Sequence, residues 1–175
     1  MGFRIIAAAL ASIALAVPVL AAPPAKAGAC PATPVLPDDL ADWSRDASGK
    51  TIYAYGDDLG ADWSPLGAAR TALPLHRFES LRYGVAPERK PDVHKFGGMI
   101  PIEMKKAGRL IVALDAGAWI DLVRDGTVLK SVAHGHGPAC SGIRKMVEFD
   151  VMPGRYQLQI VNAPSASIHA MAVLR

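Results

Sequence analysis

The chain predicts an all-β fold, an antiparallel β-sandwich or jelly roll preceded by an irregular N-terminal arm. Three observations carry this. From about residue 71 onward, apolar and polar residues alternate. Two turn dipeptides, Asp125-Gly126 and Pro153-Gly154, separate alternating runs. No long segment after residue 71 repeats its apolar residues at helical spacing. Successive side chains of a strand point to opposite faces, so a period of two marks a strand with one face in the core and one in water.

Residues 1–27 read as an export signal. Arg4 supplies the positive start, residues 5–20 form an alanine-rich apolar run, and Ala21, Ala22, Ala25 and Ala27 offer small residues for cleavage. Cleavage is expected after Ala27, with Ala22 as the alternative. Pro18 interrupts the run, which is short for a spanning helix, so no membrane span is expected after removal. The expected location is the periplasm or the exterior. Losing Arg4 and Lys26 brings 19 basic residues down to 17, against 16 acidic ones. No basic stripe is left to suggest nucleic acid as a partner. About 148 residues remain, enough for one domain with a core.

Residues 28–70 are rich in proline, alanine and aspartate and form the expected arm, with one helical turn at Asp38–Ser44. An acidic–Trp element ending at Trp43-Ser44 recurs at Trp63-Ser64, read as two turns that each tuck a tryptophan onto the core. The β-sandwich domain is expected over 71–175. Leu73 and Leu75 alternate with Pro74 and His76; Ile100, Ile102 and Met104 with Pro101, Glu103 and Lys105. Leu110, Val112 and Leu114 follow the Ala107-Gly108 turn. Asp125-Gly126 joins strands at 119–124 and 127–133 as a two-residue hairpin. Val147, Phe149 and Val151 precede the Pro153-Gly154 turn, Tyr156, Leu158 and Ile160 follow it, and a last strand covers 168–174.

Polar chemistry is concentrated in the loop His134-Gly135-His136-Gly137-Pro138-Ala139-Cys140. Export decides how Cys140 is read. In an oxidising compartment its partner is Cys30, the only other cysteine. His134 and His136, two apart, form half of a zinc or copper site that needs further ligands from His76, His94, His169 or a carboxylate. Ser141 does not sit in a nucleophile elbow, and no catalytic residue is assigned. Arg144 and Lys145 at the base of the loop are candidates for gripping an anion. Trp119, at the start of a strand, is a candidate platform for a sugar or another flat ligand, or else a core aromatic.

The order Ala107-Gly108 with its following strand, then Trp119-Ile120-Asp121 through Asp125-Gly126, then Pro153-Gly154-Arg155-Tyr156-Gln157-Leu158, resembles bacterial pre-peptidase C-terminal domains over roughly residues 96–174. That resemblance implies a jelly-roll architecture and no particular role. The segment from Gly117 through Lys145 is similar to short exported alphaproteobacterial proteins, some labelled homogentisate 1,2-dioxygenase. That enzyme holds iron on two histidines and a glutamate, a pattern this chain does not show. The expected function is an exported binding or accessory module, with a small ligand or a periplasmic protein as partner and the 134–145 loop as its surface. The alternative is a small metal-dependent enzyme, dioxygenase-like or hydrolytic, using His134 and His136.

Overall fold

The computed structural model describes residues 30–31, 34–56 and 66–175, with the backbone alone at 46–50. The expected export signal and the second acidic–Trp turn lie outside the described residues. Eleven strands are described: β1 (Asp46–Thr51), β2 (Arg70–Pro74), β3 (His76–Arg77), β4 (Phe96–Met104), β5 (Gly108–Leu114), β6 (Trp119–Arg124), β7 (Thr127–Val128), β8 (Ala133–Gly135), β9 (Lys145–Val151), β10 (Gly154–Ala163) and β11 (Ser167–Leu174). They form two sheets, one in the order β1-β2-β11-β5-β9-β8 and the other β3-β4-β10-β6-β7. Among the described strands only β1 and β2 pair in parallel. The fold is an all-β sandwich.

The alternating residues meet in register. Leu110 faces Phe149 and Val112 faces Val147 across β5 and β9. Leu158 lies between Ile100 of β4 and Leu122 of β6, while Tyr156 pairs with Ile102 and Ile160 with Ile120. These side chains share one buried cluster between the sheets. A one-residue slip would turn every one of them outward, so burial itself fixes the register. Asp125 at φ 49° and Gly126 at φ 76° form the left-handed two-residue turn that the dipeptide demands.

The six-stranded sheet departs from a simple inside–outside alternation. Ile111 and Ala113 of β5 and Met171 of β11 point away from the main core, yet are fully buried. A 3-10 turn at Asp38–Ser44 lies over them and contributes Leu40 and Trp43, with Ile143 closing the cluster. An aromatic of this size buries about 150–250 Å², an upper bound of roughly 4–6 kcal/mol at ~25 cal/mol/Å². The indole Nε1 of Trp43 donates to the Ser141 carbonyl at 2.9 Å, so the arm also fastens the loop before β9.

The run expected as one strand over 127–133 is divided. Leu129 N–H still bonds to the Leu122 carbonyl in the five-stranded sheet, whereas Val132 N–H bonds to the Glu148 carbonyl in the other. The chain crosses between sheets at Lys130-Ser131, where no ladder constrains it. That crossing opens one flank of the sandwich beside β6 and β9.

Candidate functional site

A cleft of about 170 Å³ opens at that flank. Trp119 and Ile120 enter from β6, Ser131 from the crossing, His134 from β8, Lys145 and Val147 from β9, and Glu88 from the segment preceding β4. Of the residues singled out in the sequence, the fold brings together Trp119, His134 and Lys145. Ile120 and Val147 are each only 4% exposed, so the apolar wall is chiefly the Trp119 ring.

The ring is held by a residue that sequence reasoning missed. Trp119 Nε1 donates to Asp121 Oδ1 at 2.7 Å, and the other carboxylate oxygen accepts the Glu88 N–H at 3.0 Å. Trp119 and Asp121 lie two apart on β6 and so share a face. One carboxylate therefore fixes both the aromatic wall and the acidic rim. Asp121 is 2% exposed. Burial pushes its carboxyl above the usual range, the bonds from Trp119 and Glu88 pull it back, and the charge of Glu88 raises it again. A Trp-x-Asp spacing on a strand flanked by turns was the signal available in the sequence. Neighbouring groups hold the same segment down. Tyr83 donates its hydroxyl to the Ile160 carbonyl at 2.9 Å, and burial, with the charge of Asp121, raises its pKa. Gln159, opposite Asp121 in register, donates to the Val85 carbonyl at 3.0 Å.

Two cations flank the platform. The Arg89 guanidinium and Lys145 Nζ each lie 5.9 Å from the Trp119 ring centroid, the outer reach of a cation–π contact. Among the described residues neither is paired with a carboxylate. Arg144 stands apart from the cleft. Its side chain is exposed, and its backbone N–H bonds to the Leu114 carbonyl.

Cys140 is joined to Cys30, with Cα atoms 5.4 Å apart. Cys140 at φ 64° and Gly142 at φ 76° turn the loop, and Ser141 Oγ accepts the Ile143 N–H at 3.1 Å. Ser141 is 8% exposed, so its hydroxyl caps a turn instead of facing solvent. His136 donates from Nδ1 to the Arg144 carbonyl at 2.7 Å and closes the neck of the loop. It does not line the cleft beside His134. Of the histidines expected as further ligands, His76 bonds to the Ala54 carbonyl and His169 to Asp115. Among the described residues no three His, Cys, Asp or Glu side chains gather as a metal site. Nor is any Ser, Thr or Cys side chain among them hydrogen-bonded to a histidine. The arrangement can hold a ring against indole and meet it with a carboxylate, an imidazole, a hydroxyl and the Lys145 ammonium, while Arg89 lies over the same indole outside the cleft lining.

No protein-family model, curated protein or solved structure matches the chain. No helix among the described residues is long and apolar enough to cross a membrane.

Proposed function

We propose that the protein is an exported, non-enzymatic binding module whose cleft holds one small, flat-faced ligand against Trp119. The observation that carries this reading is the fixed platform. Trp119 is half-buried, locked through Nε1 to Asp121, and bordered by Glu88, His134 and Lys145. A rigid aromatic with polar neighbours binds at low entropic cost, because the aromatic wall need not be ordered on binding. Size agrees: an apolar cavity of about 150 Å³ accommodates benzene, so about 170 Å³ suits a single six-membered ring. The leader-like residues 1–27 and the Cys30–Cys140 bridge support export to an oxidising compartment, the periplasm or beyond.

The test is a thermal-shift panel of sugars, sugar acids, aromatic acids and nucleobases against the wild type and Trp119→Ala. A ligand at about 100 times its Kd stabilises by about 2.7 kcal/mol. For a domain of this size that is roughly a 5–10 °C rise in Tm. The rise is expected in the wild type and not in Trp119→Ala. Equal shifts in both proteins, or none across the panel, would remove the cleft as the site.

A further inference from the structure

We infer that the ring held against Trp119 is a pyranose carrying a carboxylate, a uronate unit, and this rests on the binding role proposed for the cleft.

The first argument concerns faces. An aromatic ligand has two apolar faces and is best served by two apolar walls, but this cleft offers one. Ser131, His134, Glu88 and Lys145 are polar, and the aliphatic residues are almost fully covered by their neighbours. A pyranose has a C–H-rich face that stacks on indole and a rim of hydroxyls that needs polar partners. One wall and a polar rim match that shape.

The second argument concerns donors and acceptors. The Glu88 carboxylate only accepts hydrogen bonds, and sugar hydroxyls donate to it. The Ser131 hydroxyl both donates and accepts, as sugar hydroxyls do, and His134 adds its ring nitrogens to the same rim. An aromatic acid without hydroxyls would bring no donor to Glu88.

The third argument concerns charge. Arg89 and Lys145 bring two positive charges to the ring, and the acidic groups beside it are Glu88 and the buried Asp121, whose oxygens are already engaged by the Trp119 indole and the Glu88 N–H. Neither cation is paired with a carboxylate among the described residues. Each lies over the Trp119 ring, 5.9 Å from its centroid, where a ring laid on the indole meets it. A single carboxylate on the ligand's ring gives these cations the partner they lack, and a guanidinium can grip it with two parallel bonds.

Calorimetry on the disulfide-bonded mature chain tests this with methyl glycosides of glucuronic, galacturonic and mannuronic acid, their neutral counterparts, and benzoate. At least one uronate is expected to bind at least tenfold tighter than its neutral counterpart. That advantage should fall below threefold in an Arg89→Gln/Lys145→Gln variant whose melting temperature matches the wild type, and all binding should vanish in Trp119→Ala. Neutral glycosides binding as tightly as uronates would overturn the inference, as would benzoate binding tightest or no glycoside binding. A win for the neutral sugars or for benzoate, if lost in Trp119→Ala, removes only the uronate assignment and leaves the cleft as a binding site. Binding that persists in Trp119→Ala removes both.

Discussion

Asp121→Asn tests whether one buried carboxylate organises the cleft. Its two oxygens accept from two different donors, Trp119 Nε1 at 2.7 Å and the Glu88 N–H at 3.0 Å. An amide of the same shape keeps one acceptor and turns an N–H₂ toward the other donor. A buried donor left unmatched costs about 1–3 kcal/mol. Removing a charge that is 2% exposed returns part of this, so the net loss at neutral pH falls near the low end, about 1 kcal/mol. The pH dependence supplies the sign. Asp121 holds its proton to higher pH in the folded chain than in the unfolded one, because burial is the largest influence on it. The folded state then binds more protons across that window, so the Asp121 contribution to stability is fully present below the unfolded value and lost as pH rises through the folded one. Other carboxylates are common to both proteins and cancel in the difference. Urea unfolding at about pH 4 and about pH 7 should therefore show wild type minus variant shrinking as pH rises. A gap that widens with pH, or a variant clearly more stable than wild type at neutral pH, would refute the reasoning.

Further outcomes follow from the same geometry. Cys30 and Cys140 are 110 residues apart in sequence, for which the chain-entropy relation gives an upper guide of about 4.8 kcal/mol; Cys30→Ser/Cys140→Ser should lose a large part of it in urea unfolding, and denatured, unreduced wild type should show no free thiol. Phe149, 1% exposed, should lose about 3–5 kcal/mol on replacement by alanine, while half-buried Gln157 should stay within about 0.5 kcal/mol; equal effects would contradict the register. Micromolar zinc or copper should leave the melting curve of untagged protein unmoved, and a rise of several degrees lost in His134→Ala/His136→Ala would move the protein to the metal-binding class.

The strands that pack between the sheets were legible because burial on one face writes a period of two into the sequence. Val147, Phe149 and Val151, and Tyr156, Leu158 and Ile160, all point inward as their alternation requires. The disulfide was legible from the expectation of export and the count of two cysteines. β1 was not, because its sequence Asp-Ala-Ser-Gly-Lys-Thr carries no apolar alternation and it lies at a sheet edge. The cleft was half legible. Trp119, His134 and Lys145 stand out as residue types, but Glu88, Arg89 and Ser131 reach the site only through the packing of a loop and a sheet crossing. His136 is spent on the neck of the loop, and Arg144 joins that neck through its backbone while its side chain lies outside the cleft lining.

The arm over the six-stranded sheet has a colloidal consequence. Leu40 and Trp43 lie on Ile111, Ala113 and Met171, which are otherwise a flat apolar stripe across neighbouring strands. The arm is fastened at Cys30 to Cys140, at Trp43 to Ser141, and at Asp39 to the C-terminal Arg175. Lifting it bares a sticky sheet face, the kind of surface on which copies of a chain associate. Reducing the Cys30–Cys140 pair removes one of these three fasteners, so reduced, still-folded protein is expected to associate more readily than the oxidised form in light scattering.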